Sequence, residues 1–260
     1  MHLVLNKRVV RERLLAMVSR PNPAPVFIFG NQKSGTSAVA GLLAAATGLS
    51  LITDFAGAQE PFIGDLIAGR TSIDAYIARN AWAFSAALVK EPGLSFVAPA
   101  LLDRFAQSRS VFLLRDPYQN IRSILERVDL RGDREHIVPG KRRINRTWRS
   151  ILAGRDLGLP PAPYVEILAT RWLRAVQIAE QLGGRTKILR YEEFNAGKRE
   201  TINELASSLG LPVVSDISGQ VDHQFQPRGR GTDPKTFFGP NYARISLICG
   251  AKAKEHGYPA

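Results

Sequence analysis

Short, continuous apolar runs alternate along this chain with longer stretches in which apolar positions recur every three or four residues. Val26-Phe27-Ile28-Phe29 and Val111-Phe112-Leu113-Leu114 read as strands buried on both faces of a parallel sheet. Lys187-Ile188-Leu189-Arg190 predicts a shorter strand, and Ala87-Leu88-Val89-Lys90 a fourth. Helices are predicted from Ala38 to Ala46 with Thr36 as the cap, from Pro117 to near Val128, and from Lys198 to Leu209. Between Tyr164 and Leu182, residues Val165, Leu168, Ala169, Trp172, Leu173, Val176 and Ala179 carry helical spacing, so they form the core face of a long helix. Val10, Leu14 and Val18 among arginines predict a basic amphipathic helix over residues 3–19. Pro21, Pro23 and Pro25 end it, because proline donates no backbone N–H and disfavours helix in the residue before it. Strands alternating with helices predict an α/β fold, a central parallel sheet with helices on both faces. Ligands of such sheets bind beyond the carboxyl ends of the strands, which directs attention to the loops after Phe29, Lys90, Leu114 and Arg190.

With 260 residues, 45% of them hydrophobic, and no low-complexity linker or repeat, the chain is expected to be one domain over 1–260. Residues 1–24 would be a basic helix and proline-rich connector. A net charge of +12 favours anionic partners without choosing among nucleotides, nucleic acid, acidic glycans and membranes. The single cysteine, Cys249, excludes an intrachain disulfide framework, and its apolar neighbours predict a buried, inert thiol. Leu3-Val4-Leu5 is too short for a signal-peptide core and no transmembrane run of 18 apolar residues occurs, so a cytoplasmic location is expected.

The segment Gly30-Asn31-Gln32-Lys33-Ser34-Gly35-Thr36-Ser37 leaves a strand and opens a helix, where free N–H groups and the helix dipole favour an anion. Gly30 and Gly35 keep the gap of a Walker A loop, but Thr36 stands where that motif demands lysine. The lysine is Lys33, inside the loop, where its charge would meet the 5' group of a shorter nucleotide chain.

Lys33-Ser34-Gly35-Thr36 resembles the 5'-phosphosulfate-binding loop of sulfotransferases that use 3'-phosphoadenosine 5'-phosphosulfate (PAPS). The resemblance implies a P-loop-like three-layer sandwich related to nucleotide kinases, with Lys33 on the bridging oxygen and Ser34, Gly35, Thr36 and Ser37 around the 5' group. Arg115-Asp116-Pro117, with Ser123 on the following helix, resembles the family's 3'-phosphate segment. An arginine at a strand end offers the bidentate fork such a phosphate needs. Lys90-Glu91-Pro92 is similar to the Lys-x-Pro element of bacterial and carbohydrate sulfotransferases. Leu189-Arg190-Tyr191-Glu192-Glu193-Phe194 is similar to a segment whose tyrosine contacts adenine, which implies that role for Tyr191. Arg228-Gly229-Arg230-Gly231 resembles the basic loop that closes over the 3'-phosphate, a plain Gly/Arg surface turn being the alternative. The resemblance spans residues 26–231, and only its two phosphate motifs are specific.

The departures point to the bacterial and carbohydrate branch. Ala38 stands where cytosolic aryl and steroid enzymes stack a tryptophan on adenine, and Pro92 where they keep a catalytic histidine. The base is then expected to be a carboxylate. Glu60, 27 residues beyond Lys33, is the first choice, because the resemblance to carbohydrate sulfotransferases implies a catalytic glutamate about there, and Glu91 the second, each being otherwise a surface acid; His136 and His223 stand behind them. The function implied is transfer of a sulfuryl group from PAPS to an acceptor hydroxyl, of a saccharide or glycolipid, releasing 3'-phosphoadenosine 5'-phosphate. No metal is expected, because Lys33 supplies the positive charge. Residues 127–155 hold nine Lys/Arg against three acids, which suits an anionic glycan or lipid acceptor, a solvated lid being the alternative. A nucleotide kinase is disfavoured by the missing Walker lysine. A nucleic-acid-binding protein is disfavoured because Phe27, Phe29 and Phe112 lie in core-like strands rather than among basic residues.

Overall fold

A computed structural model describes residues 7–136, 144–221 and 233–259. Five parallel strands, β1 (Val26–Gly30), β2 (Leu51–Thr53), β3 (Leu88–Lys90), β4 (Arg109–Leu114) and β5 (Lys187–Arg190), form one sheet in the order β2-β3-β1-β4-β5. The helices are α1 (Lys7–Val18), α2 (Thr36–Thr47), α3 (Phe62–Ile67), α4 (Ile73–Arg79), α5 (Ala81–Phe84) and α6 (Ala98–Arg104). They continue with α7 (Pro117–Arg127), α8 (Arg146–Leu152), α9 (Tyr164–Leu182), α10 (Tyr191–Ala196), α11 (Lys198–Ser208), α12 (Pro234–Phe238) and α13 (Asn241–Glu255). The α/β reading from the sequence stands.

The side-chain period of two in a strand divides the core in two. Phe27, Phe29, Val89, Phe112 and Leu114 point to one face, where α6, α7, α9 and α13 cover them. Val26, Ile28, Leu88, Val111 and Leu113 point to the other, under α2 and α11. Chain leaving β1 therefore crosses one face of the sheet and chain leaving β4 crosses the other. The crevice between the two departing loops is a topological switch point, where such sheets bind ligands. Lys33 follows β1 and Arg115 follows β4, so register and helix placement bring them to the same rim.

Three local expectations are corrected. Thr36 does not cap α2; it is the first helical residue, and Gly35 at φ 94° precedes it in a left-handed conformation that favours glycine. β2 was not foreseen, because a three-residue edge strand is too short to show a period. The chain after β5 enters α10 at once, so Tyr191 sits on the first turn of a helix. Cys249 is buried on α13, where its thiol meets the Ala169 carbonyl at 3.4 Å and burial pushes its pKa up to about 12. The thiol is buried, as expected.

Candidate active site

At the carboxyl rim of the sheet lies a cleft of about 960 Å³. Of the residues singled out from the sequence, Lys33, Gly35, Thr36, Ser37, Glu60, Glu91, Arg115, Ser123 and Tyr191 all line it. Ser34 does not: it is buried, and its hydroxyl accepts from Asn120 Nδ2 at 3.0 Å, so it braces the loop from behind. Arg228, Gly229 and Arg230 lie outside the described residues, as does His223; His136 is exposed and not among the residues lining the cleft.

The β1–α2 loop is shaped for close approach. Lys33 holds φ 68°, and Gly30 and Gly35 are also at positive φ. A Cβ on Gly35 would sit 2.3 Å from the Tyr191 ring, so only glycine lets that ring close on the loop. The first N–H groups of α2 have no intrahelical acceptor and face the cleft at the positive end of its dipole. Burial, with Arg127 and Arg115 nearby, lowers the Lys33 pKa to about 8.

Arg115 locks this loop to the β4 end. Its Nη1 donates to the Lys33 carbonyl at 2.9 Å and its guanidinium lies 4.5 Å from the centre of the Tyr191 ring. Its Nε is buried without a partner. A buried charged donor without a protein partner is a group that an anionic ligand oxygen could satisfy. Ser123 stands one helical turn and a half along α7, on the polar stripe Gln119, Arg122, Ser123 and Glu126 that faces the cleft.

The opposite wall carries the carboxylates. Glu60 Oε1 is buried and unpaired, resting against Gly64, where a Cβ would lie 2.7 Å away. Burial and the neighbouring Asp156 carboxylate raise its pKa, while Ser150 and Arg146 oppose the shift. Glu91 is fully buried just past β3 and accepts from the Gly93 N–H at 3.1 Å; burial lifts its pKa to about 7. Lys90 is tied to Asp54 at 2.9 Å. Asn145, Thr147 and Trp148 of the 127–155 segment line the same cleft, but of its described cations only Arg127 does, and Lys141, Arg142 and Arg143 lie outside the described residues.

Beneath the loop runs a buried polar network with no counterpart in the sequence reading. Arg171, fully buried on α9, pairs with Asp156 at 2.5 Å and donates to Asn31 Oδ1 and Gln32 Oε1. Asn120 joins Asn31, the Gln32 carbonyl and Ser34. Nothing in local sequence marks these residues, since each partner is 15 to 140 positions from Arg171. Arg122 was also overlooked, although the polar stripe of the amphipathic α7 was there to be read, and Arg127, read only as part of the basic 127–155 segment, lines the cleft with it. Among the described residues no group of three His, Cys, Asp or Glu is placed to hold a metal ion.

No protein-family model matches the chain and no curated protein matches it. Solved structures do. A Mycobacterium avium sulfotransferase superposes with a TM-score of 0.58 over 97% of this chain and 82% of its own, at 12% identity. A mouse sulfotransferase complexed with PAP gives 0.53 over 96% and 92%, at 13% identity. A Mycobacterium tuberculosis sulfotransferase gives 0.54 over 94% and 80%, at 12% identity. The chain has the sulfotransferase fold. At such identities the likeness speaks for backbone architecture, and the chemistry has to come from the residues in the cleft.

Proposed function

We propose that this protein transfers the sulfuryl group of PAPS to the hydroxyl of an acceptor. The observation that carries the reading is the joining of the two phosphate motifs at the wall of one cleft through one bond, Arg115 Nη1 to the Lys33 carbonyl. Lys33 and the N–H groups of Gly35, Thr36 and Ser37 would hold the 5' group. Arg115 and Ser123 would hold the 3'-phosphate. Tyr191, packed on both motifs, would border the adenine. When bound, PAPS supplies an electrophilic sulfur whose leaving group is a nucleotide phosphate.

This chain's own contribution is positioning and charge. Protonated Lys33 neutralises charge growing on the departing oxygen. A carboxylate on the opposite wall accepts the proton of the acceptor hydroxyl. Glu60 is favoured by its place on the cleft wall, and its raised pKa makes it a better base than an ordinary carboxylate. Glu91 is the second reading, favoured by its pKa of about 7 and its place at the end of β3. Asn145, Thr147 and Trp148 would meet a saccharide or glycolipid acceptor.

Thermal-shift titration with 3'-phosphoadenosine 5'-phosphate, ATP with magnesium, and a short oligonucleotide tests the reading. The first alone should stabilise the protein, by about 2.7 kcal/mol at a hundred times Kd. Preference for ATP with magnesium would support a kinase instead. Sulfuryl transfer should persist in excess EDTA, and its complete loss, restored by magnesium, would overturn the role given to Lys33.

A further inference from the structure

Among the described residues, the large apolar side chains left exposed are concentrated on one element. Val10, Leu14, Met17 and Val18 of α1 are exposed, Met17 and Val18 at 81% and 82% of their maximum. At 100° per residue they form a single stripe, and no residue of this helix is fully buried. The opposite side, with Val9, Glu12, Leu15 and Ala16, is the half-covered one that rests on the body of the protein. Cations border the stripe: Arg13 on one edge, Arg11 on the other and Lys7 at its N-terminal end, all exposed. A shallow hollow bounded by Lys7, Val10, Arg11, Leu14 and Leu15 runs beside it.

An apolar row bordered by Lys and Arg is the pattern of a helix that lies in a lipid–water interface, side chains in the acyl boundary and cations among anionic headgroups. Two alternatives fit less well. A second copy would press like charges against like along both edges, and nucleic acid would use the cations while leaving four apolar side chains in water.

The place of α1 gives the stripe a consequence. Glu12 Oε2 accepts from the Ala56 N–H at 2.6 Å, and the Arg8 guanidinium donates to the Asp54 carbonyl. Asp54 lines the cleft, and the chain runs from it through Phe55 and Ala58 to Glu60 along the wall opposite the phosphate loops. The helix is thus bonded to the acceptor side of the cleft.

We infer that α1 is a docking element for anionic phospholipid membranes, seating the acceptor side of the cleft on the bilayer surface. On the sulfuryl-transfer reading, the acceptor hydroxyl then belongs to an amphiphile presented at that surface.

The test is sedimentation of the full chain, without nucleotide, with large unilamellar vesicles of phosphatidylcholine alone or mixed with phosphatidylglycerol. The wild type should bind the mixed vesicles and not the neutral ones. Leu14→Ser with Met17→Ser should lower partitioning roughly tenfold or more, by removing apolar area that the membrane buries. Each cation at an anionic surface is worth about fivefold, so Arg11→Glu with Arg13→Glu should cost at least about twenty-five fold. Leu247→Ser, an exposed leucine elsewhere on the surface, should change nothing. The inference is overturned if the wild type ignores mixed vesicles, or if the serine variant binds them like the wild type. It is also overturned if light scattering finds a dimer that the serine variant dissolves, since the stripe would then be covered by a second copy. Nucleotide binding, measured on the same preparations, keeps the two readings apart. Wild type that binds 3'-phosphoadenosine 5'-phosphate but not vesicles loses only the docking, and the converse loses only the chemistry.

Discussion

Replacing Arg115 by alanine removes three interactions of different kinds, and a comparison of two ligands separates them. The bond to the Lys33 carbonyl and the stacking on Tyr191 hold the loop in shape whether or not a nucleotide is present. The Nε is buried and has no partner in the protein, so a 3'-phosphate would add the third interaction. Loss of one member of a desolvated charge pair costs roughly 2–5 kcal/mol, or about 30-fold to several thousandfold in Kd. Isothermal titration of wild type and Arg115→Ala with 3'-phosphoadenosine 5'-phosphate and with adenosine 5'-phosphate gives four affinities. Loop damage weakens both ligands alike and cancels in the ratio of ratios; what survives is the coupling between the guanidinium and the 3'-phosphate. A large effect of the 3'-phosphate in the wild type and little in the variant is expected. Arg115→Lys should recover only part of it, because an ammonium cannot offer the planar fork. If removing the 3'-phosphate costs the same in both proteins, Arg115 does not hold that phosphate and the two-motif argument falls.

Glu60→Gln should lower kcat about 10²–10⁴-fold with little change in nucleotide affinity, measured at saturating donor beside Glu91→Gln; the reverse pattern would make Glu91 the base. The rate should rise with pH as the base loses its proton and fall above about 8 as Lys33 loses its own. An acid limb near 7 that disappears in Glu91→Gln would also assign the base to Glu91. Gly35→Ala forces a side chain into the Tyr191 ring at a positive φ and should abolish nucleotide binding by calorimetry while the fold persists by circular dichroism; unchanged affinity would mean the loop can relax. Arg171→Met strands Asp156 in the interior, which should cost roughly 3–5 kcal/mol and lower Tm by about 6–20 °C in a calorimetric scan. A shift under a degree would show that the network is not needed to hold the loop.

Two kinds of information about this protein come from different levels. Local structure was legible in the chain: the apolar runs at Val26–Phe29 and Val111–Leu114 read as buried strands and are, and Gly30 to Ser37 reads as a strand-to-helix loop suited to an anion. The long helix from Tyr164 to Leu182 was equally legible, because nineteen residues of helical period outweigh local propensity. What depended on residues far apart was not. The short strand β2 exists because β3 offers it an edge. The network around Arg171 assembles from α7, α9 and two loops, and Glu60 and Glu91 share one cleft with Lys33 because the strand order β2-β3-β1-β4-β5 brings their segments to one rim. Composition gave a basic chain without saying where the charge acts. Only packing separates the cations that line the cleft beside Lys33 from those that border the bare apolar stripe of α1, because burial, which sets the strength of every charge, is a property of the folded surface.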